Sequence, residues 1–224
     1  DKRLYRPMAG KVYKMFPVET IRGCPFTCTF CNSPDQMRLY KGLGHNFYRK
    51  KRMDLVHKEL KHFKETHKVE YMYFWADTFL GMSQKELDQF CEIYSDINLP
   101  FWMQTRPETV TDYNLKKLSQ VGLHRISFGL EHGNEKFRRE ILDRRWTNKD
   151  IIEKLKIPKK YGISFSVNNI TGFPTETKKL AFDTIEINRK IESDNQNIYS
   201  FVPFHGTPLR KMCEKLGLID HDTI

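Results

Sequence analysis

Cys24, Cys28 and Cys31 stand within eight residues of one another in Arg22-Gly23-Cys24-Pro25-Phe26-Thr27-Cys28-Thr29-Phe30-Cys31-Asn32-Ser33-Pro34, a C-x3-C-x2-C spacing. Soft thiolates held this close select iron–sulfur or zinc chemistry. Gly23 and Pro25 suit a loop wrapped tightly around an inorganic centre. The chain has five cysteines, and only Cys91 and Cys213 remain as distant partners. A disulfide framework is therefore disfavoured, and a metal site in a reducing compartment, the cytoplasm, is expected. Cys91 shares an apolar helical stripe with Leu87, Phe90 and Tyr94 and reads as core. Structural zinc needs four ligands, and its fourth would come from His45, His57, Cys91 or Cys213, none of them in a pairing motif. A ferredoxin would show C-x2-C-x2-C with a further Cys-Pro, which is absent. Iron–sulfur, zinc and incidental thiols stay open as readings, and the spacing favours the first. Three thiolates on a four-iron cluster would leave one iron free for a ligand, as a substrate-binding centre requires.

The elements that must carry this loop show in the patterning. Short, largely uninterrupted apolar runs at 18–22, 70–76, 100–105, 124–130, 163–172 and 198–203 suit strands covered on both faces. Helical stripes alternate with them. One is Leu87, Phe90, Cys91 and Tyr94; the next is Leu115, Leu118 and Val121, starting at Thr111-Asp112 and ending at Gly122. Thr147 and Asp150 form a capping pair before Ile151, Ile152 and Leu155, and Leu180, Thr184, Ile187 and Ile191 make the last stripe. Pro158 is expected to kink or end its helix. Six such units of about 30 residues predict an α/β fold with parallel strands and right-handed crossovers, closed as an open doubly wound sheet or as a full or partial barrel. No G-x-G-x-x-G follows the first strand, which weakens the dinucleotide-binding form. Either closure collects ligands at the carboxyl ends of its strands.

Bulk properties exclude less. The chain of 224 residues is 39% hydrophobic and 13% aromatic, as a folded globular protein should be. No apolar run approaches the roughly 20 residues that span a bilayer, and Asp1-Lys2-Arg3-Leu4-Tyr5-Arg6-Pro7 lacks the apolar core of a signal peptide. Its abrupt opening and close lead us to expect a piece of a longer polypeptide. The net charge of +10 is spread out, with dense runs only at Arg49-Lys50-Lys51-Arg52, Arg138-Arg139 and Arg144-Arg145. A solvated basic face is the simpler expectation, with an acidic partner or nucleic acid second.

The segment from Arg22 to Cys31 resembles the signature loop of radical S-adenosylmethionine (radical SAM) enzymes. In that family the open iron is chelated by the amino and carboxylate groups of S-adenosylmethionine. Electron transfer then cleaves the sulfonium and yields a 5′-deoxyadenosyl radical that abstracts hydrogen from substrate. The resemblance implies a (β/α)6 partial TIM barrel, one radical SAM core over residues 1–224, and a [4Fe–4S] cluster on Cys24, Cys28 and Cys31. It also implies S-adenosylmethionine as cofactor and a flavodoxin- or ferredoxin-type reductant as partner. Matching segments follow in the family's order across residues 15–216.

The same resemblance names cofactor contacts at the strand ends. Phe30 directly precedes the last cysteine. Ala76 and Asp77 stand where the family's backbone holds the methionine amino group, with Ala76 replacing an acid found in many relatives. Arg106 follows the third strand, either to meet an anion in the mouth or to cap the strand end. Ser127 and Glu131 end the fourth strand in Ser-Phe-Gly-Leu-Glu-His-Gly, and Glu131 suits ribose hydroxyls or an ammonium. Arg144 matches an arginine kept after that strand, facing the cofactor carboxylate. Asn168 and Ile170 lead into Thr171-Gly172-Phe173-Pro174-Thr175-Glu176-Thr177, where backbone groups touch adenine and Glu176 is expected in the first turn of the next helix. Val202 lies in Phe201-Val202-Pro203-Phe204-His205-Gly206-Thr207-Pro208-Leu209, again near adenine. The opening Arg6-Pro7-Met8-Ala9-Gly10-Lys11 and the Gly-Leu-Glu-x-Gly segment resemble members preceded by a cobalamin-binding domain. That implies a methyltransferase core using cobalamin from outside these residues, which contain no D-x-H-x-x-G motif. A methylthiotransferase acting on RNA or protein is the alternative within the class, and a zinc-stabilised, non-catalytic nucleic-acid-binding module the alternative outside it. The substrate is not legible.

Overall fold

The computed structural model of the chain describes residues 2–223. Six strands run parallel: β2 (Lys11–Val18), β5 (Tyr71–Phe74), β6 (Phe101–Thr105), β7 (Leu123–Glu131), β8 (Ser164–Thr171) and β9 (Asn195–Ser200). A seventh, β1 (Tyr5–Met8), pairs antiparallel with β2 through a turn at Ala9-Gly10, where both φ angles are positive. The sheet order β1-β2-β5-β6-β7-β8-β9 curls into a half-barrel. This is the expected partial barrel, with an added edge hairpin.

Helices return the chain between strands: α1 (Ser33–Gly42) and α2 (Met53–His67), α3 (Gln84–Ser95), α4 (Asp112–Gln120), α5 (Glu135–Glu140), α6 (Asn148–Leu155), α7 (Ile157–Lys160), α8 (Lys178–Asn188) and α9 (Pro208–Lys215). A two-stranded ribbon, β3 (Ile21–Arg22) with β4 (Arg49–Lys50), sits apart from the main sheet. Their starts are chemically specified. Ser83 and Thr111 each form a reciprocal capping box, and Thr147, Thr177 and Thr207 each accept the backbone N–H three residues on. Pro158 ends one helix and sits in the first turn of the next, where its missing N–H costs nothing.

Strand alternation divides the sheet into two unlike faces. Met72, Phe74, Phe101, Met103, Ile126, Phe128, Phe165 and Val167 point to the helices and are buried with Leu60, Phe90, Tyr94, Leu115, Ile151 and Leu155. Tyr73, Trp102, Gln104, Ser127, Ser166 and Asn168 point the other way, into the lumen, and none is aliphatic.

Two expected boundaries shift. The first strand is Lys11–Val18 rather than 18–22, because Lys and Tyr on its outer positions hid the alternation, and Ile21–Arg22 belongs to the ribbon. The last strand is Asn195–Ser200 rather than 198–203; an edge strand with one solvated face needs no apolar run. The last helical stripe also overreaches, since α8 closes at Asn188 and Ile191 is buried beyond it.

Phe90 is fully buried among Phe74, Phe79, Tyr94 and Phe101, with ring centroids 5.1–6.0 Å away. Phe90→Ala should cost about 3–5 kcal/mol, read from the urea unfolding midpoint at constant slope.

Candidate functional site

The cysteine loop leaves β3 and closes at the start of α1. Gly23 has φ +82°, and a Cβ there would lie 2.9 Å from the Phe47 ring, so the turn into the loop admits only glycine. The Cys24 N–H donates to the Ser33 hydroxyl at 3.0 Å, and the Cys31 N–H to the Cys28 carbonyl at 3.2 Å. Between the cysteines the threonines turn outward. Thr27 donates to Asp143 and Thr29 to the Ile141 carbonyl, each at 2.5 Å, while the Leu209 N–H meets the Thr29 carbonyl at 3.3 Å. Alternate residues thus bolt the loop to the 141–143 segment and to α9.

All five cysteines are free thiols. Burial pushes the Cys24 thiol up to about 11, and burial likewise raises Cys28 and Cys31, with neighbouring thiolates adding to the cost. Three ionised sulfurs here therefore require positive charge, which the irons of a cluster supply. Among the described residues no three His, Cys, Asp or Glu side chains group to hold a single ion. Mononuclear zinc lacks its convergent donors, whereas a cubane takes each thiolate at a separate corner. The residues fit a three-cysteine [4Fe–4S] cluster.

Opposite the loop lies a charge network. The Arg106 guanidinium covers the Phe26 ring at 3.8 Å, reaches Cys28 Sγ at 3.5 Å and pairs with Glu108. Arg144 donates to Glu131 at 2.9 Å, to the Gly129 carbonyl at 2.7 Å and to Glu108 at 3.3 Å. Glu131 has φ +72° at a break in register with β8, and a Cβ on Gly129 would collide with its carboxylate. The glycine of Gly-Leu-Glu therefore makes room for the acid. Burial pushes the Glu131 carboxyl above its ordinary range despite Arg144. Burial also raises Glu108, but Arg144 and Arg106 together outweigh it and hold that carboxyl low.

A cavity of about 450 Å³ opens beside this network at the strand ends. Of the sequence-derived positions, Phe30, Asp77, Ser127, Glu131, Asn168, Ile170 and Val202 all line it. Ala76 is buried behind the wall, its carbonyl accepting from Gln104 Nε2 at 2.9 Å. Arg144 is also behind the wall and touches it through Glu131 and the Gly129 carbonyl. Arg106 is the guanidinium that lines the cavity. Sequence reasoning passed over Gln104, Tyr199, Phe204 and the role of Glu108. Only Gln104, polar in an apolar run, carried a visible signal.

Glu176 departs from expectation. Thr177 is the N-cap of α8, so Glu176 lies outside the helix and folds back. Its carboxylate accepts from the Gly172 N–H at 2.5 Å, the Phe173 N–H at 3.3 Å and the buried His132 Nε2 at 3.0 Å. His132 Nδ1 accepts from the Asn134 N–H at 3.0 Å, so the ring proton resides on Nε2. The acid shapes the β8 turn rather than complementing a helix dipole.

Part of the basic runs is paired or buried within the chain. Lys50, Lys51 and Arg52 pair with Glu86, Glu59 and Asp54 at 2.7–2.8 Å, and Arg138 and Arg144 are buried.

Residues 18–186 match the family model of the radical SAM superfamily. The chain belongs to that superfamily. Family membership implies a [4Fe–4S] cluster and S-adenosylmethionine. Across 193 residues this radical SAM chain is 28% identical to an uncharacterized methyltransferase of Pyrococcus horikoshii, covering 86% of itself and 40% of that protein. It is 29% identical over 121 residues to the tRNA-2-methylthio-N(6)-dimethylallyladenosine synthase of Halalkalibacterium halodurans, covering 51% of itself and 22% of the relative. It spans well under half the length of these curated relatives. Its fold matches the radical S-adenosylmethionine methyltransferase TsrM of Kitasatospora setae with a TM-score of 0.70 at 15% identity, over 94% of this chain and 44% of that one. No helix among the described residues is long and apolar enough to cross a membrane.

Arg144→Met would strand two buried carboxylates and should cost about 3–5 kcal/mol in urea unfolding. Glu108 contributes stability above its unfolded pKa near 4.5 that is lost as pH falls through its lower folded value. Glu108→Gln should therefore flatten the acid limb of the stability curve, measured as urea midpoints at about pH 7 and about pH 4.

Proposed function

We propose that this radical SAM domain is the core of a cobalamin-dependent methyltransferase working in the cytoplasm with a flavodoxin- or ferredoxin-type reductant. The observation that carries the core of this reading is the C-x3-C-x2-C loop facing a cavity lined by strand-end residues of β5 to β9. Cys24, Cys28 and Cys31 would hold the cluster. When bound, the cluster supplies the electron that cleaves the S-adenosylmethionine sulfonium to a 5′-deoxyadenosyl radical. The likeness to a methyltransferase-named relative over 86% of the chain supports methyl transfer, and cobalamin would come from a domain outside residues 1–224.

The chain's own residues bind and orient. Glu131, held by Arg144 in a left-handed backbone conformation, presents a carboxylate that suits ribose hydroxyls or an ammonium. Ser127 and Asn168, 3.1 Å apart, add a hydroxyl and an amide beside it. Arg106 offers a cation to the methionine carboxylate next to Cys28, and Arg144 serves by fixing Glu131. The Ala76-Asp77 backbone, with Gln104 locking the Ala76 carbonyl, suits the amino group. Phe30, Ile170 and Val202 give apolar contact that excludes water from the adenine end.

Methylthio transfer to RNA or protein is a second reading, favoured by the methylthio-synthase relative over 51% of the chain.

Anaerobic reconstitution should yield about four irons and four sulfides per chain and a brown chromophore. Reduction with S-adenosylmethionine should release 5′-deoxyadenosine. Cys28→Ala should lose colour and cleavage, while Cys91→Ala keeps both. Persisting cleavage in Cys28→Ala would defeat the cluster assignment.

A further inference from the structure

The lumen of the half-barrel is not built like a barrel core. Closed (β/α) barrels fill their interiors with branched aliphatic side chains in layers. Here the strand register stacks layers of another composition. Gln104, Ser127 and Ser166 are register partners, and Gly129, Asn168 and Asn197 form the layer above; both layers border the cofactor cavity. Hydrogen bonds tie these layers together: Ser127 to Ser166 at 2.9 Å, Asn168 Nδ2 to Ser127 at 3.1 Å and Asn197 Nδ2 to Asn168 at 2.9 Å.

One layer below, about 7 Å along the strands, the register partners are Tyr73, Trp102, Arg125 and Ser164. Tyr73 and Trp102 stack with centroids 4.1 Å apart and planes 2° off parallel, and Trp75 extends the column at 5.9 Å, 57% exposed. On the other side of Tyr73 the register partner is Pro17 of β2. The Arg125 side chain has no ion-pair or hydrogen-bond partner among the described residues. The carboxylate at the foot of this layer, Asp194, is taken by the Phe165 N–H at 2.7 Å and the Ser164 hydroxyl at 3.5 Å. An unpaired guanidinium in register with a stacked pair of rings on the lumen face is a ready-made recognition surface. It fits a guest that is flat, conjugated and negatively charged.

We propose that the Tyr73–Trp102–Arg125 layer is the substrate subsite, and that the substrate is a ring-bearing carboxylate. The inference rests on the reading that the cavity above it holds S-adenosylmethionine, which puts this layer next to the reacting carbon. The ring packs against the aromatic column and the carboxylate meets Arg125.

The test is isothermal titration of the full chain, reconstituted and carrying S-adenosylmethionine without reductant. The probes are 2-naphthoate, its neutral counterpart 2-naphthamide, and cyclohexanecarboxylate, which has the charge without the ring. Naphthoate should bind about tenfold tighter than either. Arg125→Gln should raise the naphthoate Kd about tenfold and leave naphthamide unchanged, Arg125→Lys should restore part of the preference, and Trp102→Leu should weaken both aromatic probes. Equal Kd values for naphthoate and naphthamide, or an unchanged naphthoate Kd in Arg125→Gln, would overturn the subsite. Failure to take up iron would instead overturn the cofactor reading, and the same titration on the unreconstituted chain still reads the subsite separately.

Discussion

Three sulfurs drawn from water into one short loop can ionise together only if positive charge is placed among them. That constraint organises everything around the mouth of the half-barrel. The thiols left to themselves resist ionisation, because burial raises all three. Arg106 and Arg144 lower the cost at Cys28 but also need carboxylates of their own, and Glu108 and Glu131 supply them. The result is a nearly dry, charge-balanced floor whose members cannot be removed singly. The loop is rigid for a related reason: its threonines are spent on the 141–143 segment, so the residues that anchor it also deliver Arg144.

Much of this was legible before any coordinates. The six parallel strands follow the expected half-barrel order, and seven of the expected cofactor-contact positions line a single cavity. What escaped notice did so for identifiable reasons. β1 and β2 carry charged and aromatic residues on a half-solvated edge, so no apolar run marked them. Arg144 reads as a cofactor ligand in sequence, yet its guanidinium is consumed by two glutamates and a carbonyl, a saturation that only three-dimensional proximity reveals. Glu176 looks like a helix-start acid because Thr177, the true cap, is its neighbour. Its bond to His132 spans 44 residues and has no local signature.

The charge excess likewise looked different in sequence and in space. A run such as Arg49-Lys50-Lys51-Arg52 suggests a polyanion surface, but partners up to 36 residues away neutralise most of it. The unpaired cation that remains of interest, Arg125, is isolated in sequence and is brought beside Trp102 by strand register. Clustering along the chain was a poor guide to electrostatic purpose; strand register was a better one.

The half-barrel is also lopsided. On one side the hairpin folds β1 back over β2 and closes that border. On the other, β9 ends the sheet with one row of its amides and carbonyls unmatched by any strand among the described residues. Tyr199 stands on that border, facing the cavity. A polypeptide laid along that open row would therefore run beside Tyr199, at the rim of the cavity.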